Sequence, residues 1–313
     1  MKKITLLLSF IACVVFAQAQ LLLNENFNYA VNTDLLNKGN WLVTGTNTAS
    51  PNIQVTPSTI TYSGYVNSGV GQEVILTNGQ DLNCDFTAQT SGTVYVSFLV
   101  NVTAAPAAGD YFLHVGPTDM AGNAYIGRTF VKTDAGKIAF GILQASGGTA
   151  TYTTSTYDLN TTYLVILKHD VTGKTSSIIV NPSMTTESTT DWISNNTGTN
   201  ATANIGSVGL RQPSASANMN LKLDGIRVAT SYSALFSTST GISSPKAEAL
   251  SISLAGKTLT VKDVAAGSIV DIYSSIGAKV HSAQLVNGAV QLDNLSKGLY
   301  IVRVGNQSSK IML

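Results

Sequence analysis

The sequence predicts an all-β protein built as two sandwiches, a large one followed by a small one. Three observations carry that expectation. Short runs of β-branched and aromatic residues recur along the chain, each bounded by Gly, Asn, Asp, Ser or Pro. Only 11% of the 313 residues are charged while Ser and Thr together number 69, so the strong helix formers Glu, Lys, Arg and Gln are scarce. A Ser/Thr/Gly/Pro stretch from Ser237 to Pro245 separates two regions of different charge balance: 9 basic and 13 acidic residues over 20–241, then 7 basic and 4 acidic over 242–313. A formal charge of +1 with no cluster of Lys and Arg excludes a nucleic-acid binder working through a basic face. A hydrophobic content of 44% excludes a disordered solvating chain.

Residues 1–19 read as an export signal. Lys2 and Lys3 form a positive start, Ile4 to Phe16 is an apolar run of 13, and Ala17-Gln18-Ala19 offers small residues to a signal peptidase. Thirteen residues are too few to cross about 30 Å of hydrocarbon as a helix. A lipoprotein reading through Cys13 meets Phe10 where a Leu-like residue is expected. Cleavage near Ala19 leaves a soluble mature chain outside the cytoplasm. That chain keeps one cysteine, Cys84, between Asp81 and Asp85. It cannot form an internal disulfide, and its acidic flanks suit a small buried hydrophobe better than a reactive thiol.

The large domain is expected over 20–236. Its strand signals include Thr93–Val102, Tyr111–Val115, Tyr125–Lys132, Lys137–Leu143, Thr162–His169, Ser176–Val180, Ile205–Leu210 and Leu221–Ala229. Asp134-Ala135-Gly136 is a hairpin signal between two of them. Many short antiparallel strands without helices make a sandwich or a barrel. A linker follows over 237–248. The small domain, 249–313, has seven strand signals, with Asn287-Gly288 as a tight hairpin turn. Seven strands in about 70 residues make a small Ig-like β-sandwich.

Two stretches resemble known families. Ile272-Tyr273 followed by Gly277 and Lys279, then Leu295-x-x-Gly298-x-Tyr300 and a terminal Lys310, resemble the type A C-terminal sorting domain of the type IX secretion system of Bacteroidota. Ala278 between Gly277 and Lys279 departs from the commoner Gly-Lys. The resemblance implies that these eight residues form the sorting signal, as fold and recognition surface. It also implies the type IX machinery as partner, passage through the periplasm, and a final place at the outer-membrane surface or outside the cell. Gly277 and Gly298 are both expected in turns that need positive φ. The opening Asn24-Glu25-Asn26-Phe27-Asn28-Tyr29 with Gly39-Asn40-Trp41, and the closing Leu223-Asp224-Gly225-Ile226-Arg227-Val228, resemble the first and last strands of laminin-G-like or concanavalin A-like jelly rolls. That resemblance implies a large antiparallel jelly roll whose first and last strands lie close together. It carries no active site.

No catalytic constellation stands out. A glycosidase needs two facing carboxylates, and Glu25, Glu73 and Glu187 are far apart in sequence. Asp81, Asn83 and Asp85 have the opening spacing of a calcium loop, but Phe86 and Gly92 stand where Gly and Glu are needed. A strand with those three outward and Leu82, Cys84 and Phe86 inward fits better. A structural calcium ion stays open without a site, and no other cofactor is expected. His114 and His169 are too isolated for zinc. Trp192, in a Thr/Ser/Asn-rich loop, is the candidate ligand-binding residue, because an aromatic face suits the apolar side of a sugar. Its plainer role is a packing plug, and Trp41 reads as core. The function expected is a non-catalytic binding or adhesion module, for glycans, at the cell surface or secreted. The alternatives are a structural surface or matrix component without a small ligand, and a polysaccharide hydrolase.

Overall fold

The computed structural model describes residues 19–45, 49–199, 202, 204–213, 218–238, 250–262, 264, 267–274, 277–305 and 307–313. The expected export signal, save Ala19, and most of the expected linker lie outside them. The chain divides into two compact units, Met1–Thr238 and Ser239–Leu313. Both are all-β, and every strand pairing is antiparallel. Among the described residues no helix is long and apolar enough to cross a membrane.

Among its described residues the large unit has sixteen strands: β1 (Leu21–Glu25), β2 (Thr33–Asp34), β3 (Trp41–Val43), β4 (Gln54–Val55), β5 (Val74–Leu76), β6 (Leu82–Gln89), β7 (Thr93–Ala104), β8 (Asp110–Gly116), β9 (Ile126–Asp134), β10 (Lys137–Leu143), β11 (Thr151–Tyr152), β12 (Thr162–Asp170), β13 (Thr175–Val180), β14 (Ile193–Asn195), β15 (Ile205–Leu210) and β16 (Asn220–Ala229). One sheet runs β14-β13-β12-β7-β16-β5-β4-β2, with β1 also on β16. The other runs β11-β10-β9-β8-β15-β6-β3. The chain crosses repeatedly from one sheet to the other, as at β5–β6, β6–β7, β7–β8, β14–β15 and β15–β16, so β16 sits beside β7 and β15 between β8 and β6. This interleaving makes the unit a jelly roll. The first and last strands pair directly, Glu25 opposite Ile226.

Period-two alternation fills the space between the sheets. Leu82, Cys84 and Phe86 of β6 and Val94, Val96, Phe98, Val100 and Val102 of β7 all enter one core. Cys84 is buried there, and burial raises its thiol. Trp41 is fully buried, stacked on Phe27 at 5.8 Å. Its indole N–H donates to Glu25 at 2.9 Å, and that carboxylate also accepts from the Tyr29 hydroxyl at 2.8 Å and the Phe27 amide at 2.6 Å. Three donors thus satisfy one buried carboxylate, which explains why Glu25, Phe27, Tyr29 and Trp41 occur together at the chain's start. At the far end of the pattern, β16 bulges at Gly225 (φ +59°), and Asp224 turns outward to accept from the Ile60 amide and the Thr59 hydroxyl.

The two outer faces of this sandwich differ. The nine-stranded sheet is covered by its own chain. Tyr95, Ile166 and Ile179 pack under Tyr232 and Leu235, and Leu99 and Leu164 pack under Ile60 and Tyr65. Among the described residues no comparable apolar cluster covers the outer face of the seven-stranded sheet.

Among its described residues the small unit has seven strands: β17 (Ile252–Ala255), β18 (Thr258–Val261), β19 (Ile269–Ser274), β20 (Lys279–Gln284), β21 (Ala289–Gln291), β22 (Leu299–Val304) and β23 (Gln307–Met312). They form a three-stranded sheet, β17-β18-β21, and a four-stranded sheet, β20-β19-β22-β23. Leu259, Val270, Ile272, Leu292 and Val302 are its most buried core residues. Gly277 has φ +83°, as expected of its turn. Gly298 differs. Its φ is not positive, and it continues the β22–β23 ladder, exchanging both backbone hydrogen bonds with Leu313 at 3.1 and 3.0 Å. The pairing thus reaches one residue beyond β22, and this glycine is not in a left-handed turn.

Candidate functional site

The outer face of the seven-stranded sheet gathers the aromatic side chains Tyr111, Tyr125, Phe130 and Tyr152, which belong to none of the unit's apolar clusters. Register does the gathering. Tyr111 pairs with Phe130, Phe130 with Gly141, and Gly141 with Tyr152, one row across β8, β9, β10 and β11. The next row runs His114, Gly209, Asn83 and Leu42 across β8, β15, β6 and β3. Tyr125 precedes β9 and closes over His114 at 4.7 Å between ring centroids. The rings form one connected chain: Tyr152 to Phe130 at 6.4 Å, Phe130 to Tyr111 at 5.5 Å, Tyr111 to His114 at 5.7 Å. Edge-to-face and tilted contacts at these distances are the favoured ones.

Two glycines make room for them. A Cβ on Gly141 would stand 2.7 Å from Tyr152 Cδ1, and one on Gly209 would overlap the His114 ring. Neither glycine has positive φ, so space and not backbone conformation demands them. Bulges on β8, between Tyr111 and Leu113 and between Leu113 and Val115, turn both Tyr111 and His114 outward while Phe112, Leu113 and Val115 stay in the core.

Cations lie against these rings. The Arg211 guanidinium is 4.2 Å and the Arg128 guanidinium 5.0 Å from the Tyr111 centroid, and Lys132 Nζ is 4.5 Å from that of Tyr152. Arg211 is paired with Asp110 at 2.6 Å. Arg128 donates from Nε to the Tyr125 carbonyl at 3.0 Å and from Nη2 to the Ser146 hydroxyl. Burial raises the phenols of Tyr111, Tyr125 and Tyr152, so their hydroxyls stay protonated and able to donate. Chemically the face offers apolar ring surface edged with hydroxyl, guanidinium and carboxylate groups. Among the described residues no three His, Cys, Asp or Glu side chains are grouped to hold a metal ion.

Trp192 lies on the other sheet. Its indole N–H donates to the Ser188 carbonyl at 2.9 Å, its ring carries Lys168 Nζ at 4.0 Å, and it packs edge-on to Tyr232. Beside it is a shallow hollow of about 500 Å³ lined by Tyr95, Glu187, Tyr232 and several Ser and Thr residues. Asn83 and Asp85 do lie off the core face of β6, but Asn83 is buried, bonded to Thr44 and Asp85.

The eight residues of the C-terminal pattern separate into three groups. Ile272 and Leu295 are core, and Tyr300 packs against that core with its hydroxyl donating to the Ser296 carbonyl at 3.0 Å. Gly277 and Gly298 serve backbone geometry. Tyr273, Lys279 and Lys310 come together: Tyr273 pairs with Lys279 on one side and Ile301 on the other, and Ile301 pairs with Lys310. This row crosses the outer face of the four-stranded sheet, where Ile301 is 43% exposed.

Residues 244–313 match the secretion system C-terminal sorting domain, and that part of the chain is such a domain. The tail implies type IX export to the cell surface or beyond. The chain matches no curated protein. Among solved structures it is similar to the globular domain of T. cruzi calreticulin, at 10% identity over 68% of this chain and 89% of that one, with a TM-score of 0.42. It is similar to domain 4 of an extracellular arabinanase from Geobacillus stearothermophilus in complex with arabinotriose, at 14% identity over 70% and 97%, with a TM-score of 0.41. It is also similar to a module from a Lactobacillus casei phage, at 9% identity over 67% and 95%, with a TM-score of 0.40.

The buried histidines set a pH dependence. Burial, with Arg128 next, pulls the His114 imidazole down to about 3, and burial pulls His169 down to about 4. An unfolded histidine titrates near 6.5. Both rings are therefore neutral when folded and bind protons only on unfolding between roughly pH 4 and 6.5, so stability rises with pH there and is complete above it. Asp224, pushed up to about 7 by burial, opposes them by holding its proton in the folded state. Two groups against one leave a net rise. Thermal unfolding followed from pH 4 to 6.5 is expected to show a rising midpoint, flattened in His169→Gln. A midpoint that is flat or falls in the wild type contradicts neutral burial.

Proposed function

We propose, from the sorting domain as premise, that this is an exported protein whose jelly roll binds glycans on the aromatic outer face of the seven-stranded sheet. The observation that supports it is the row Tyr111, Phe130 and Tyr152, held over Gly141 on a face without apolar cover among the described residues. Sugar rings present C–H faces that pack on aromatic rings, and the flanking Arg211, Asp110 and tyrosine hydroxyls can hold the sugar hydroxyls. No pair of catalytic carboxylates is part of this reading, which makes the protein a binding or adhesion module. A glycan array with the mature full-length chain tests it. Binding is expected, lost in Phe130→Ala and in Tyr152→Ala, and retained in Trp192→Ala. Loss in Trp192→Ala alone would move the site to the hollow beside Tyr232. Absence of binding would favour a structural surface component.

The sorting domain's exposed row is, on the same reading, what the type IX machinery recognises, while Ile272, Leu295 and Tyr300 maintain the fold that presents it. Lys279→Glu combined with Lys310→Glu is expected to leave folded protein in the periplasm. Normal surface delivery of that variant would remove the row from the signal.

A further inference from the structure

We infer that the aromatic face takes acidic glycans, chains bearing carboxylate or sulfate groups, with Arg128 as the principal anion contact and Lys132 as the second. The inference rests on the reading of this face as a glycan site and names the class of glycan.

The argument starts with β9. From Arg128 onward its residues alternate: Arg128, Phe130 and Lys132 are off the core face while Thr129 and Val131 are buried, the left-handed Gly127 (φ +56°) having shifted the alternation after the core residue Ile126. Their partners on β10 are Leu143, Gly141 and Ala139, none of them polar. The strand therefore presents cation, ring, cation in line. The two cations are four residues apart, about 13 Å along an extended strand. An extended saccharide lying along β9 would meet a charge at each end and a ring between.

Charge balance gives the sign. Over 20–241 the protein carries four more acidic than basic residues, so cations gathered on one face run against the background. Arg211 has Asp110 as partner. Neither Arg128 nor Lys132 forms an ion pair among the described residues. A half-buried guanidinium without a counter-charge bears a desolvation cost that an incoming anion offsets. Burial first, and then the charges of Arg128 and Arg211, keep the His114 ring beside them neutral.

Arg128 is also held in place. Nε is bonded to the Tyr125 carbonyl, one Nη2 hydrogen to Ser146, and the guanidinium rests on the Tyr111 and Tyr125 rings at 5.0 and 5.8 Å. Nη1 makes no hydrogen bond among the described residues, so its donors remain for a ligand oxygen. A fixed planar fork loses little freedom on binding a carboxylate or a sulfate, which share this recognition chemistry.

The test is titration of the mature full-length chain with polygalacturonate, dextran sulfate, neutral dextran and polyglutamate, at about 0.15 M and 0.5 M NaCl. Binding is expected for the acidic polysaccharides over dextran, weakened by salt. Polygalacturonate against dextran sulfate distinguishes carboxylate from sulfate. Arg128→Gln is expected to weaken binding about tenfold or more, the loss of a charged hydrogen bond, and Lys132→Gln by less, with unfolding midpoints unchanged in both. Lys132→Gln keeps the test open if Arg128→Gln unfolds. Equal, salt-insensitive binding of neutral dextran that Phe130→Ala abolishes would overturn the acidic preference and leave the glycan reading standing. Equal binding of polyglutamate would show that charge alone is read. Acidic binding indifferent to both cation variants would place the anion contact elsewhere. Failure of every polymer, together with an empty glycan array, would overturn both readings.

Discussion

The absence of side chains at Gly141 and Gly209 is the constraint on which the outer face depends. Each lies in ordinary extended backbone, where a β-branched residue would be preferred. Each instead leaves a gap in the sheet surface that an aromatic side chain from a neighbouring strand fills, Tyr152 over one and His114 over the other. With those rings lying close to the sheet, Tyr111 and Phe130 can stand between them, and the guanidinium groups of Arg128 and Arg211 find ring faces to rest on. The local sacrifice of strand propensity is compensated by ring contacts and by a surface with directional chemistry.

The asymmetry of the sandwich supports the same account. One sheet hides its outer face under its own loops, anchored where Asp224 accepts from Ile60 and Thr59 and where Arg227 donates to Asn24 and Asn67. The other sheet leaves a partly exposed aromatic surface with cations along β9. Folding alone explains the first face. Rings and uncompensated cations at a surface lose hydration without gaining a core, and a ligand that stacks and carries acceptors would supply what they lack. In the small unit the division is similar, with Ile272 and Leu295 inside and Tyr273, Lys279 and Lys310 displayed in one row.

Much of the fold was legible because its signals are local. Ala135-Gly136 and Asn287-Gly288 both turn with positive φ at both residues, as tight hairpins need. The cluster of Glu25, Phe27, Tyr29 and Trp41 occurs within seventeen residues and closes on itself. The aromatic face was not legible, since its rows join strands from distant parts of the chain. Gly209 meets His114 only because β15 inserts beside β8. Two bulges on β8 also break the alternation that would otherwise have assigned Tyr111 and His114 to a side. Trp192 drew notice as a lone loop tryptophan, yet no sequence pattern marks whether such a ring faces solvent or, as here, Lys168 and Tyr232. Gly298 misled for a related reason: a glycine before a strand suggests a turn, and the partner that makes it part of the ladder is the chain's last residue.

The most direct measurement is the glycan affinity and the unfolding midpoint of Gly141→Val in the mature full-length chain. Valine suits a strand at this position but occupies the space of the Tyr152 ring. The account predicts that affinity falls about tenfold or more while the midpoint changes by only a few degrees. Unchanged affinity with a folded protein would contradict it, because the row across β8 to β11 would then have no part in binding.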